Sequence, residues 1–123
     1  MQEFDCVLKA LAKLFYKTTQ PDSIILDLDT THSDTFGKQE FADYNPHYGG
    51  MGFQPKLAFD ANGFCLGAML CKGSEYSSTN IVDFVKPIIQ FLKKECGIQT
   101  IIIRGDSGFA TPDLYDFCEK ENI

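Results

Sequence analysis

Two places in the 123-residue chain put acids where metal-assisted chemistry needs them. The apolar run Ile24-Ile25-Leu26 leads into Asp27-Leu28-Asp29-Thr30-Thr31, and Ile101-Ile102-Ile103 leads into Arg104-Gly105-Asp106-Ser107-Gly108. Each has the composition of a buried strand that finishes in a carboxylate. Asp27 and Asp29 are two apart on such a strand and so share one face. Like charges there repel unless a cation or a proton intervenes. Asp106 is the natural third member if the two strands are neighbours. Oxygen-only ligands suit Mg²⁺ or Mn²⁺ rather than zinc, and such ions serve phosphodiester cleavage by activating water and stabilising the leaving oxygen. Asp29 and Asp106 are therefore expected within ~5–6 Å of each other, close enough to share one ion at Mg–O distances near ~2.1 Å.

Other polar residues are weaker candidates. His32 and His47 lie in or beside a long polar segment, where each can touch a phosphate or simply be solvated. Tyr44 and Tyr48 can stack on bases or pack the loop. Lys38 and Lys56 suit phosphate contacts by charge alone. Arg104 is close to Asp106 in sequence and can pair with it or with a backbone phosphate.

The elements that must position these residues are legible in the periodicity. Phe4, Val7, Leu8, Leu11, Leu14 and Phe15 recur at helical spacing with Lys9, Lys13 and Lys17 opposite, predicting an amphipathic helix over 4–16 that Pro21-Asp22 ends. A strand follows over 23–29. Residues 30–52 show no period and read as a long loop, which in a compact domain is more often functional than idle. Residues 53–59 and 64–71 are strand-like runs around Asp60-Ala61-Asn62-Gly63, and Asn-Gly predicts an antiparallel hairpin. Asn80, with Asp83 three residues on, predicts a capped helix whose apolar stripe is Ile81, Phe84, Val85, Ile88, Phe91 and Leu92. Pro87 predicts a kink in it. A strand over 98–104 follows, then a helix begun by Thr111-Pro112-Asp113 as cap, first-turn proline and dipole-favoured acid.

Composition bounds what remains. An apolar share of 44% is ordinary for a globular domain. No apolar run approaches the ~20 residues of a membrane span, and the acidic start lacks the form of a signal peptide, so a cytoplasmic protein without a membrane partner is expected. Five cysteines, odd in number and without a C-x-x-C, argue for reduced, buried thiols. The net charge of −6, with one arginine among eleven basic residues, weighs against a broad basic face for nucleic acid.

Several blocks resemble the bacterial insertion-sequence transposases of the DDE group: Leu26-Asp27-Leu28-Asp29-Thr30-Thr31, Phe36-Gly37-Lys38-Gln39-Glu40, Tyr44-Asn45-Pro46-His47-Tyr48, Pro55-Lys56-Leu57-Ala58-Phe59-Asp60 and Arg104-Gly105-Asp106-Ser107-Gly108-Phe109. They run in family order over about four-fifths of the chain. The resemblance implies an α/β, ribonuclease H-like mixed sheet: a meander of three strands plus a parallel strand, flanked by helices. It implies a helix and linker over 1–22 and part of a catalytic domain over 23–123. Asp29 and Asp106 would be the first two catalytic acids and, with Asp27 as an assisting neighbour, the metal ligands, with Mg²⁺ or Mn²⁺ the cofactor and Lys38, His47, Lys56 and Arg104 candidate DNA contacts. The implied activity is cleavage and strand transfer of double-stranded transposon-end DNA, by a homo-oligomer when full length. In the family the third acid is a glutamate on a later helix. Glu119 and Glu121 come too early to replace it, so the 123-residue chain is expected to be C-terminally incomplete and inactive alone, with an exposed edge on the Asp106 strand. A truncated, non-cutting remnant is one alternative. Another is a haloacid-dehalogenase-like phosphatase, since Asp27-Leu28-Asp29-Thr30-Thr31 also fits Asp-x-Asp-x-Thr. That motif wants a further Asp four residues after the Gly-Asp aspartate, where Ala110 stands, and that fold starts with parallel strands.

Overall fold

The computed structural model describes residues 2–31, 33–34, 42–45, 50–71, 76 and 78–123. In chain order the elements are α1 (Gln2–Thr19), β1 (Ser23–Thr30), β2 (Ser33–Asp34), β3 (Asp43–Asn45), β4 (Gly50–Phe53), β5 (Lys56–Asp60), β6 (Cys65–Met69), α2 (Ile81–Lys94), β7 (Thr100–Arg104), a 3-10 turn (Ser107–Phe109) and α3 (Pro112–Glu121). The main sheet runs in the order β6-β5-β1-β7. β5 is antiparallel to both β1 and β6, whereas β7 lies parallel to β1 at the edge of the sheet. The predicted meander of three strands with a parallel fourth is therefore present, in an α/β mixed sheet.

Period-two burial decides what each strand offers. On β1, Ile24, Leu26 and Leu28 are buried, so Ile25, Asp27 and Asp29 occupy the opposite face. On β5, Lys56, Ala58 and Asp60 point inward. The inward residues join α2, which buries all six residues of its predicted stripe together with Ile89, and Phe109, Leu114 and Phe117 from the C-terminal segment. At Gly67 of β6 the helix comes close: a Cβ would stand 2.7 Å from Ile88 Cδ1 and 3.3 Å from Ile88 Cγ1. Gly67→Val should cost about 1–3 kcal/mol through overpacking. Part of that cost should be recovered by adding Ile88→Val, which removes the obstructing methyl. Denaturant midpoints of the two single variants and the double variant read the coupling, and strict additivity would rule it out.

Four expectations are corrected. The segment read as one long loop over 30–52 contains a second, three-stranded antiparallel sheet, β2-β4-β3, too short-stranded to leave a period in the sequence. The strand read over 53–59 is interrupted by Gln54-Pro55, so β4 closes the small sheet and β5 belongs to the large one. Asn80 precedes α2 in a left-handed conformation (φ 54°) and makes no side-chain cap. Finally, α1 forms as predicted but turns a different face inward. Ala12 and Tyr16 are its buried residues, whereas Val7, Leu11 and Leu14 are at least half exposed. The lysine side faces α2: Lys9 stands 5.8 Å from the Phe91 ring centre and Lys13 lies 3.5 Å from Glu95. The anchors explain the rotation. Tyr16 Oη donates to Asp60 Oδ2 at 2.8 Å, and Phe15 stacks on Phe64 at 5.5 Å between ring centres.

The hairpin turns where Asn62-Gly63 predicts, with Gly63 at φ 86°, but Asp60 organises it. Its Oδ1 accepts from the amides of Asn62 (3.0 Å) and Phe64 (2.8 Å), while its backbone exchanges hydrogen bonds with Gly63 and Phe64. On α3, Thr111 caps as predicted, its hydroxyl accepting from Leu114 N, with Pro112 in the first turn. Among the described residues the cysteines form no disulfide. Cys71 is buried, and partial burial pushes up the thiols of Cys65, Cys96 and Cys118, whereas Cys6 departs from the expected pattern and is exposed. Among the described residues no helix is long and apolar enough to cross a membrane.

Candidate active site

The parallel register of β1 and β7 pairs Ser23 with Thr100 and ends at Asp27 opposite Arg104. At that last pair the two side chains meet on the face away from the core. The Arg104 guanidinium forks onto the Asp27 carboxylate, with Nη2 at 2.8 Å from Oδ2 and Nε at 2.5 Å from Oδ1. Of the partners expected for Arg104, Asp106 is therefore not the one it takes: the guanidinium pairs with Asp27. Counting back two residues from Asp29 and from Asp106 would have predicted it, once a parallel register was assumed. The hydrogen bonds and the charge of Asp27 raise the guanidinium further above its ordinary range, so it is protonated throughout.

Two residues beyond that pair, each chain segment reaches its acid. Asp29 is exposed near the end of β1, and its Oδ1 accepts from Thr30 N at 2.9 Å. Asp106 is exposed just past β7 and caps the 3-10 turn, its Oδ1 accepting from Gly108 N at 2.8 Å. Each carboxylate is oriented through one oxygen, and the second oxygen of each has no protein partner among the described residues. Such half-engaged, exposed oxygens are hard donors suited to a hard divalent cation.

The turn after β7 depends on Gly105. A Cβ there would stand 2.9 Å from Phe109 Cδ2, because the Phe109 ring, 2% exposed, folds back beneath the acid into the core. The chain reverses tightly enough for Asp106 to stay at the strand end while Phe109 anchors the turn from below. The glycine between Arg104 and Asp106 was the sequence signal for this close approach.

The remaining candidates divide. Lys56, expected as a phosphate contact, is 1% exposed, and its Nζ donates to the carbonyl of Thr79, ahead of α2. Position 56 faces the core because β5 alternates, so this ammonium braces the sheet against the loop before α2 and is not presented to a polyanion. Tyr44 is half exposed on β3. Lys38, His32, His47 and Tyr48 lie outside the described residues. No group of three His, Cys, Asp or Glu side chains that could hold a metal ion forms among the described residues. Asp27 is paired with Arg104.

In comparisons with known proteins, a family model described as transposase DDE domain group 1 matches residues 1–123. No curated protein and no solved structure matches the chain.

Proposed function

Because the chain belongs to the transposase DDE domain group 1 family, we propose that Asp29 and Asp106 are two of its catalytic acids, in a ribonuclease H-like domain that cuts and joins transposon-end DNA. One observation carries the reading: parallel pairing of β1 with β7 brings two acid-terminated strands side by side, with both acids two residues past the Asp27–Arg104 pair. The sheet order β6-β5-β1-β7 supports the ribonuclease H-like assignment, and its early antiparallel hairpin counts against the phosphatase alternative.

Asp29 and Asp106 would hold Mg²⁺ or Mn²⁺, which when bound supplies Lewis-acid chemistry for phosphodiester cleavage. The chain's own contribution is placement. The Thr30 and Gly108 amides aim the two carboxylates, Phe109 fixes the turn beneath one of them, and β1–β7 pairing sets their common level. Arg104, 62% exposed at its side chain, is positioned to contact a DNA phosphate on the same face. Lys38 and His47 are the further DNA contacts that the family resemblance suggests. DNA is the partner, the working form is a homo-oligomer, and a cytoplasmic location follows from that partner.

Manganese binding tests the reading directly. Loss of either Asp29 or Asp106 as asparagine should weaken Mn²⁺ binding by ~10-fold or more, since affinity for hard cations follows the number of charged oxygen ligands. Binding followed by the electron paramagnetic resonance of free Mn²⁺ reports this without any cleavage assay. Affinity unchanged in both variants would place the metal elsewhere and overturn the assignment.

A further inference from the structure

We infer that Asp27 and Arg104 are positioning residues: their ion pair ties the strand that leads to Asp106 to the strand that carries Asp29, and neither side chain touches the metal. The inference rests on the reading that Asp29 and Asp106 hold the metal. The two acids are not held equally by the sheet. Beyond Asp27, β1 stays paired with β5, through Asp29 opposite Leu57 and Thr30 opposite Lys56. β7 lies at the edge of the sheet, and its ladder with β1 ends at Asp27 opposite Arg104. Asp106 follows two residues later, past the last rung.

The side chains before that rung are aliphatic: Ile101, Ile102 and Ile103 stand opposite Ile24, Ile25 and Leu26. Apolar contact of this kind is non-directional. The Arg104 fork has direction, because two bonds to one carboxylate fix orientation as well as distance. Precision matters here. One residue along a strand is ~3.3 Å, more than a whole Mg–O distance of ~2.1 Å. Phe109 and the Gly108 amide shape the turn that holds Asp106, and the ion pair sets the level of that turn against Asp29. Stability is not what the pair supplies. Its side chains are 62% and 30% exposed, and water and salt compete with such a pair. Residues that support metal ligands act on their geometry, and losing one commonly costs ~10-fold or more in affinity.

Mn²⁺ affinity and urea midpoints, measured together on the 123-residue chain, test the positioning role. The sign of one effect is decisive. Arg104→Gln removes a positive charge near the acids, so electrostatics alone would tighten Mn²⁺ binding. Positioning predicts the reverse, binding weakened by ~10-fold with the urea midpoint unchanged. Asp27→Asn should weaken binding by a similar factor. Exchanging the partners, Asp27→Arg together with Arg104→Asp, keeps both the net charge and the pair and should restore most of the wild-type affinity. An arginine cannot replace a metal ligand, so failure of the exchange to restore binding overturns the inference. Unchanged or tighter binding in Arg104→Gln overturns it as well. So does a loss of affinity that comes with a lower urea midpoint, which would make the pair a general fastening of the sheet. Arg104→Lys keeps the charge without the fork and should bind Mn²⁺ with intermediate affinity, a geometric readout that stands even if the exchanged variant does not fold. Wild-type affinity in Arg104→Lys would show that the fork is not needed and overturns the inference too. Failure of the underlying reading looks different: Asp29→Asn would leave Mn²⁺ bound as in wild type.

Discussion

Asp60→Ala should be among the most destabilising single substitutions in this protein, costing about 3 kcal/mol and lowering the melting temperature by roughly 10–15 °C. Asp60 is 3% exposed, and its carboxylate accepts three hydrogen bonds, from Tyr16 Oη, Asn62 N and Phe64 N. Alanine leaves the buried Tyr16 hydroxyl without its acceptor, and that desolvation penalty outweighs the modest net value of an ordinary hydrogen bond. Asp60→Asn keeps an oxygen for the two turn amides and should cost only about 1 kcal/mol. Urea titrations of the two variants check the ranking, and equal losses would show that the turn does not depend on these acceptors. The same pair has a consequence in alkali. Burial first, and then the hydrogen bond to Asp60, push the Tyr16 hydroxyl far above its usual range. A folded-state pKa above the unfolded one gives stability that is fully present below the unfolded value, about 10 for tyrosine, and is lost as pH rises beyond it. The partly buried thiols of Cys65, Cys96 and Cys118 act with the same sign, beginning near about 8.5. Stability should therefore fall from about pH 8.5 upward, and Tyr16→Phe should flatten the part of the fall above about pH 10.

The 123-residue chain, incubated with Mg²⁺ or Mn²⁺ and a duplex carrying the cognate transposon end, should produce no nicked strand. Asp29 and Asp106 each present one carboxylate oxygen without a partner among the described residues, and no group of three ligands forms among them. Phosphoryl transfer depends on both the attacking and the leaving oxygen being stabilised at well-defined positions. Two carboxylates can hold one ion and leave a second without an anchor. The net charge of −6 adds a penalty to unassisted DNA binding. Cleavage by the wild type that both Asp29→Ala and Asp106→Ala abolish would refute this expectation. It would mean that Asp27, Glu119 or a second subunit completes the site.

Much of this arrangement is written in local patterns. The apolar runs before Asp29 and Asp106, the Asn-Gly turn and the stripe of α2 each depend on neighbours in sequence, so period and turn chemistry reveal them. Their combination into a meander with a parallel fourth strand came from family resemblance rather than from period. What stayed hidden depends on contacts across the chain. The inward face of α1 is chosen by Tyr16 and Ala12, one amphipathic and one small, because Asp60 and Phe64 wait on a distant hairpin. By apolarity alone Val7, Leu11 and Leu14 were the better candidates. The burial of Lys56 follows from strand parity set by Ala58 and Asp60, which outweighs the preference of a lysine for water. Within the site, the two acids were legible singly, whereas the capture of Asp27 by Arg104 required the register.

The Tyr16–Asp60 bond also sets an order on synthesis. Its two ends lie 44 residues apart, so the helix made first cannot dock until the hairpin has been made. At about 5–20 residues per second, that interval is roughly 2–9 s of translation. For that time α1 leaves the ribosome with all its apolar residues uncovered, both Ala12 and Tyr16, which will later be buried, and Val7, Leu11 and Leu14, which will not. Codon speed over the β1–β6 stretch is thus a lever on yield: slowing it prolongs the exposure of a sticky helix, and speeding it shortens the wait.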